Sequence, residues 1–389
     1  MRKWLGLALV VALVAAPAMG QALKGKVAVV LDVGGRGDLS FNDMGFKGTD
    51  EAARDFGLQM VEVQSATAAD YLPNLRNLAR TGQYDLIICV GFLLGDALAQ
   101  AAQEFPQQKF AIIDSVVDAP NVMSIVFREN EMSALVGALG ALAAAHYGYP
   151  NVGVVLGIEI PVLYHFEAGY RFGIDWGNKR AAEVLGTNPV GLLYTYTGSF
   201  SDIALGKAAT EAMLAQGAVA VYNVAGPLGI GDLEAITEYH RNKGTEFGPP
   251  YYFGVDANQD WMGLGKHGLA SGMKRVDVGC YSAVEAVVNG TFTGGIISLG
   301  LAEGGVGISK YQDLLDFIEF GISGGAMKAE DRDQTIANWL ANRATIPGWI
   351  WEAVDELEAG ILAGTIVVPT ADTVEEMRAV RAQYTLGAP

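Results

Sequence analysis

The residues best suited to chemistry are polar and aromatic side chains in a glycine-rich loop, residues 31–42. The loop follows an apolar strand predicted for residues 26–31 and precedes a helix predicted to begin near Met44. It therefore lies at the carboxyl end of a sheet strand, where open α/β folds bind ligands. The loop lacks the lysine of a P-loop and the spacing of the dinucleotide fingerprint, which argues against a phosphate cradle. Phe41, flanked by Asp38 and Asn42, offers instead an aromatic face beside polar groups.

Other predicted strand ends bear the same kinds of residue. They include Phe92 after residues 86–90, Asp114 after residues 110–113, Phe200 in the loop 198–202, Gly226 and Pro227 after residues 219–223, and Asp256 after residues 251–255. Taken singly, an acid in such a loop is more often a helix cap or a solvated charge, and Asp202 is the strongest candidate for a cap. Glycines, phenylalanines and acids together at strand ends favour a ligand-binding cleft.

Three more specific chemistries do not fit these loops. The acidic run at 256–260 lacks the glycine and the closing glutamate of a calcium-binding hand loop. The glycines at 226, 229 and 231 stand in the wrong order for a nucleotide loop. The run Gly198-Ser199-Phe200 lacks the second glycine of a nucleophile elbow. The residues therefore predict a binding site without a metal or cofactor, and nothing in them demands catalysis.

Apolar, β-branched runs alternate with helical patterns along the chain, as in parallel α/β sheets. Strands are predicted at residues 26–31, 59–63, 86–90, 110–113 and 122–127 and, after a turn-rich segment at 146–151, at 152–156, 190–194, 219–223 and 251–255. Helices are predicted to begin near Met44, Asp70, Gly95 and Glu129. The second series of strands after the turn-rich segment indicates two α/β units. Short hinges are expected to join them, because no low-complexity linker separates them. A helical pattern at 326–389 is expected to pack its tryptophans across a domain.

The acidic composition restricts the classes of molecule that the chain is expected to bind. The chain has 389 residues, of which 51% are hydrophobic, and a formal net charge of −17. Nucleic acids and anionic lipid surfaces need a basic footprint, so neither is expected as the main partner. A neutral or cationic small ligand fits the charge better.

The first 20 residues have the pattern of a cleaved secretory signal, with Arg2 and Lys3 before an apolar stretch at 4–15 and small residues up to Gly20. The stretch is shorter than the roughly 20 residues of a membrane span. We therefore expect a soluble periplasmic protein, without a lipid-anchor cysteine near the cleavage region. Cys89 and Cys280 are expected to be buried thiols, with a disulfide as the alternative, and they do not form a zinc site.

Seven short motifs follow one another along the chain, at residues 38–42, 110–114, 127–129, 165–170, 198–202, 254–256 and 271–275. In this order they resemble the BMP (basic membrane protein) family, the PnrA-like substrate-binding proteins of ABC transporters, from about residue 27 to 309. The resemblance implies an α/β, type I periplasmic-binding-protein fold with two doubly wound parallel-sheet domains joined by a hinge. Residues 21–148 with about 259–297 would form the first domain. Residues 149–258 with about 298–389 would form the second, including a helical C-terminal tail.

The resemblance also implies a monomer that binds a purine nucleoside, of the adenosine, guanosine or inosine type, and delivers it to a membrane permease. The base would stack on Phe41, with Phe166 or Phe200 on its other face. The remaining ligand-binding residues would be Asn42 and Asp114 at the base edge, Asp256 and Lys274 at the ribose, Gly226 where the backbone comes close, and Asp38 in the first loop. An acidic pocket would repel phosphate and so favour nucleosides over nucleotides.

Three departures from the family pattern leave alternatives open. The chain lacks the lipid-attachment cysteine, has Asn258 where an acid is frequent before Gln259, and has a long tail after Ser309. A receptor for a sugar or signalling molecule on the same fold is one alternative, and a nucleoside-processing enzyme is another. A sugar receptor would bind free ribose, whereas an enzyme would change its ligand chemically.

Overall fold

Runs of buried valine, isoleucine and leucine form the strands at the centre of two six-stranded sheets. The computed structural model describes residues 23–386, so the predicted signal segment lies outside the described residues. The strands are β1 Lys26–Leu31, β2 Gln59–Gln64, β3 Leu86–Val90, β4 Phe110–Ile113, β5 Val122–Phe127, β6 Asn151–Leu156, β7 Gly191–Tyr196, β8 Ala218–Val224, β9 Tyr251–Asp256, β10 Gly268–Lys274, β11 Gly295–Leu299 and β12 Val306–Ile308.

Helices connect the strands and cover the sheets. They are α1 Phe41–Asp55, α2 Tyr71–Arg80, α3 Gly95–Glu104, α4 Glu129–Tyr147, α5 Pro161–Leu185, α6 Ile203–Ala215, α7 Gly229–Lys243, α8 Val276–Val288, α9 Tyr311–Ser323, α10 Arg332–Arg343, α11 Gly348–Leu362 and α12 Val374–Gln383. In the part of the chain that the structure describes, none of these helices is both long enough and apolar enough to span a bilayer.

The two sheets have the same arrangement of strands. The first has the order β11-β5-β4-β3-β1-β2 and is parallel throughout. The second has the order β12-β10-β9-β8-β6-β7, in which only β12 runs antiparallel to its neighbour, β10. The predicted fold class, two doubly wound α/β units of the type I binding-protein fold, is confirmed. All nine predicted strands are present with small differences at their ends.

The chain passes between the two sheets three times: from β5 to α4, from β10 to α8, and from β11 to β12. Helix α4 packs on α5 and on strands of the second sheet, although residues up to 148 were predicted to lie with the first. Strand β10 likewise lies in the second sheet, although about 259–297 was assigned to the first. β10 has glycine, alanine and serine at most positions, so the β-branched signal that marks the other strands is missing.

Glycines allow α4 and α5 to pack at very short range. A Cβ added to Gly169 would lie 2.1 Å from the carbonyl oxygen of Asn130, and one added to Gly173 would lie 2.0 Å from that of Ala134. Gly173 lies one turn after Gly169 in α5, and Ala134 lies one turn after Asn130 in α4, so the two helices run parallel. We call this contact the glycine seam. Nearly all of α4 is buried, which explains why it is apolar on every side.

The predicted packing roles of the cysteines and of the C-terminal tryptophans are confirmed. Cys89 in β3 and Cys280 in α8 are separate buried thiols. Trp339 is buried on the second unit, where its indole N–H donates to Asp260 Oδ2 at 3.1 Å. The tail thus extends the second unit, with α10 against β10, α11 against α4 and α12 against α5.

We expect Gly173→Ala to lower the free energy of unfolding by about 1–3 kcal/mol, the usual cost of overpacking. This loss would outweigh the gain of about 1 kcal/mol that alanine brings to a helix interior. Urea denaturation measures the difference. Gly348→Ala in α11 is the matched control, because a Cβ there meets open space. Equal stability of the two variants would contradict the close approach at the seam.

Candidate functional site

A cleft lies between the two units, where the loops at the carboxyl ends of both sheets face each other. It contains about 660 Å³ of space, including the part open to solvent. Every predicted site residue borders this cleft, namely Asp38, Phe41, Asn42, Asp114, Phe166, Phe200, Gly226, Asp256 and Lys274. The loops and helices of the first unit supply the residues up to Asp114, and those of the second unit supply the others. Residues that are far apart in the sequence thus meet in one cleft at the carboxyl ends of the strands.

Asp38 organises the first wall of the cleft. Its carboxylate accepts backbone N–H groups from Ser40 at 3.0 Å, Asn42 at 2.7 Å and Asp43 at 3.0 Å. Burial, followed by the charge of Asp43, raises the pKa of Asp38 to about 7. These bonds satisfy the first N–H groups of α1, so the helix begins at Phe41, three residues before the predicted Met44. Asp38 thus positions Phe41 and Asn42 on the cleft wall.

Lys274 ends β10, and its ammonium group is buried among carboxylates. Its Nζ lies 2.6 Å from Asp114 Oδ2, 3.5 Å from Glu129 Oε1 and 3.9 Å from Asp256 Oδ1. We call these four residues the lysine cluster. Burial alone would lower the pKa of Lys274, but the three carboxylates together raise it above its usual value. The lysine is therefore charged, and the cluster holds more acidic groups than basic ones.

Asp114 and Asp256 have strained backbones. Their φ angles are 69° and 61°, in the left-handed region that residues other than glycine seldom adopt. Burial raises the pKa of both; for Asp114 it does so to about 7, with Lys274 opposing the rise and Glu129 adding to it. Strain of this kind is typical of functional sites, where surrounding structure holds it in place.

Three residues of the cleft wall keep a buried oxygen without a hydrogen-bond partner. Within residues 23–386, these oxygens are Oδ1 of Asn42, Oδ1 of Asp114 and Oδ1 of Asp256. A buried acceptor without a donor costs about 1–3 kcal/mol. The wall is therefore short of hydrogen-bond donors, which hydroxyl or amino groups of a ligand can supply.

Aromatic rings surround the lysine cluster. Nζ of Lys274 lies 4.8 Å from the ring centroid of Phe41, 5.4 Å from that of Phe166 and 5.8 Å from that of Phe127. Phe166 is buried and packs near Tyr222, whereas Phe200 is half-buried. The cleft thus pairs flat apolar faces with a charged polar floor. The polar backbone of Gly226, at a φ of 56°, completes the wall on the side of the second sheet.

Several lining residues were absent from the predicted set. They include Leu93, Ile160, Val162 and Leu163. Asp32, Phe92 and Pro227, which follow β1, β3 and β8, line the cleft as their strand-end positions predict. Glu129 of the lysine cluster was missed as well; it begins α4 at a crossing between the sheets, a signal that only the topology reveals. Asp202 is the predicted cap, since it accepts N–H groups of α6, and it does not line the cleft.

Comparison with known proteins agrees with this architecture. The model of the PnrA-like ABC transporter substrate-binding family, Bmp, matches residues 25–321. An uncharacterized lipoprotein of Pyrococcus abyssi is 38% identical over 359 residues, which cover 92% of this chain and 87% of the relative. The ABC transporter nucleoside-binding protein BmpA of Lactococcus lactis is 32% identical, with 72% and 80% covered. The crystal structure of an ABC transporter solute-binding protein from Aeropyrum pernix is 36% identical, with a TM-score of 0.82, and covers 93% of this chain and 100% of its own.

We expect Asp38→Ala to lower the free energy of unfolding of the ligand-free protein by about 1–3 kcal/mol, because several buried N–H groups lose their acceptor. Chemical denaturation measures this loss. Asp202→Ala, which removes a cap on an exposed helix start, serves as the control and should cost about 0.5–2 kcal/mol. An unchanged stability for Asp38→Ala would mean that its carboxylate serves only to contact ligand.

Proposed function

The chain belongs to the PnrA-like family of ABC transporter substrate-binding proteins, and on that premise we propose that its cleft binds a purine nucleoside for delivery to a membrane permease. The observation that carries the proposal is the lysine cluster, with its unpaired acceptor oxygens, directly beside the ring of Phe41. A nucleoside has both matching parts, a flat base and a sugar with neighbouring hydroxyl groups.

The aromatic residues supply the site for the base. Stacking of a base on an aromatic side chain contributes about 1–3 kcal/mol and tolerates different bases. In the proposed complex the base lies on Phe41, and Phe166 or Phe200 covers its other face. Asn42 and Asp114 then address the polar edge of the base, where the unpaired oxygens meet amino or ring N–H groups.

The ribose would lie at Asp256 and Lys274. A carboxylate accepts hydrogen bonds from two neighbouring hydroxyl groups, and charge-assisted bonds of this kind are stronger than neutral ones. The Lys274 ammonium, already shared among carboxylates, can donate to a hydroxyl oxygen without leaving the cluster. The excess of acidic groups disfavours a phosphate, so we propose selectivity for nucleosides over nucleotides. The Lactococcus lactis relative is named a nucleoside-binding protein, which supports the same ligand class.

Apolar side chains argue against a free sugar. Leu93, Ile160, Val162 and Leu163 line the cleft in addition to the phenylalanines. A free pentose would leave much of this wall without a partner, whereas a base would cover it. We therefore propose the nucleoside in preference to the sugar.

We propose that the protein works outside the cytoplasm, because relatives from Pyrococcus are named lipoproteins. We propose that residues 1–20 act as a cleaved signal and that the mature protein is a monomer. We also propose that it releases its ligand unchanged, as expected of a receptor that hands ligand to a permease.

We expect the purified protein to bind adenosine, guanosine or inosine at one site per monomer, because the two walls of the cleft together form one site. Isothermal calorimetry measures the stoichiometry, and chromatography of the recovered ligand tests whether it is unchanged. AMP and ribose are the matched controls, each differing from adenosine by one part. Tight binding of ribose or AMP without binding of any nucleoside would refute the assignment, and conversion of the ligand would indicate an enzyme.

Asp256→Asn and Phe41→Ala should separate recognition of the sugar from recognition of the base. Asp256→Asn keeps the shape of the side chain and removes its charge, so we expect a loss of about 1–3 kcal/mol for adenosine and much less for adenine. Phe41→Ala should weaken both ligands by about 1–3 kcal/mol, because both stack. Calorimetry with adenosine and with adenine gives the binding free energy of each ligand for each variant.

If Asp256→Asn weakened adenosine and adenine equally, the carboxylate would not contact the ribose. Lys274→Met is less informative than Asp256→Asn. It would leave three buried carboxylates without their cation, which is strongly destabilising in its own right.

A further inference from the structure

The C-terminal segment 366–384, which we call the C-terminal strap, lies beyond the residues that the family model matches. It contains α12 and is bound to the two helices of the glycine seam. Asn130 Nδ2 in α4 donates to the carbonyl oxygen of Val368 at 2.9 Å. Arg381 in α12 donates to both carboxylate oxygens of Glu167 in α5, at 2.9 and 2.6 Å. The strap therefore holds the helices that bear Glu129 and Phe166.

A line of charged side chains runs from the strap to the cleft. Oδ1 of Asp372 in the strap lies 2.8 Å from Nε2 of His165, whose Nδ1 lies 3.0 Å from Oε2 of Glu129. The other oxygen of Glu129 is 3.5 Å from Nζ of Lys274. Negative and positive groups alternate along this line, which ends at Asp114.

We propose that Asp372 and His165 are positioning residues of the binding site: the strap holds His165 against Glu129, and Glu129 in turn sets the place of Lys274 in the cleft. The proposal rests on the cleft being the ligand site. The strap is then a working part of the receptor as well as a cover for α5.

The charge state of His165 agrees with this geometry. Burial alone would lower the pKa of His165, but Glu129 and Asp372 together raise it to about 9. These two carboxylates, one from α4 and one from the strap, are the charged groups in contact with the ring among the described residues. At neutral pH the imidazole is therefore a cation that can bridge them.

Asp372→Asn is the first test, since this side chain is 69% exposed and its replacement leaves the core intact. With adenosine as the probe, we expect calorimetry to show affinity reduced about 3- to 10-fold, within the range for couplings between separated sites. Glu375→Gln, an exposed acid in the first turn of α12, is the matched control and should leave affinity unchanged.

A double-mutant cycle tests whether Asp372 acts on the site through Glu129. In a Glu129→Gln background, Asp372→Asn should have little further effect, because the link to Lys274 is already broken. Equal fold-losses in both backgrounds would overturn the proposal, and so would equal losses for Asp372→Asn and Glu375→Gln.

Nuclear magnetic resonance provides a test without any ligand. In isotopically labelled protein, the imidazole of His165 should titrate near its raised pKa of about 9, and Asp372→Asn should lower that pKa. The side-chain resonances of Lys274 should shift with the same midpoint. If the Lys274 chemical shifts change neither with the titration of His165 nor with Asp372→Asn, the proposal is overturned. If adenosine does not bind but these resonances respond, the nucleoside assignment fails and the positioning role stands.

Discussion

The buried ammonium group of Lys274 is the interaction on which the cleft depends. Removing a charge from water costs several kcal/mol unless partners compensate for it. Asp114, Glu129 and Asp256 provide that compensation from three different connections of the chain. Lys274 is also the last residue of β10, just before the chain crosses to α8. The same ion cluster therefore joins the two units and forms the floor of the site.

Hydrogen bonds near the lysine cluster strengthen this junction. Ser40 Oγ donates to the carbonyl oxygen of Val255 at 3.0 Å and to Asp256 Oδ2 at 3.1 Å. Gln259 Nε2 donates to the carbonyl oxygen of Leu39 at 3.1 Å. These contacts connect the loop before α1, in the first unit, with the end of β9 in the second. The loop that presents Phe41 is thus fixed from both sides of the cleft.

Much of the fold and the outline of the site follow from local sequence patterns. Most buried strands are runs of β-branched residues, and groups that line the cleft come directly after them. The positions of Asp114 and Asp256 after such strands therefore predict their place in the cleft. The start of α1 was placed too late, because Asp38 takes the role of the cap from outside the helix. Strand β10 has small residues in place of β-branched ones, so its sequence does not predict a strand. No local sequence pattern shows where the chain crosses between the sheets. Contacts such as that of His165 with Asp372 join residues more than 200 positions apart, and no spacing rule reaches so far.

The glycine seam has a mechanical consequence. With almost no space between α4 and α5, neither helix can slide or tilt without moving the other. Glu129 at the start of α4 and Phe166 in α5 therefore travel as parts of one rigid body, at a fixed separation. Whatever motion admits a ligand, the charged floor and this aromatic wall keep their mutual geometry throughout it.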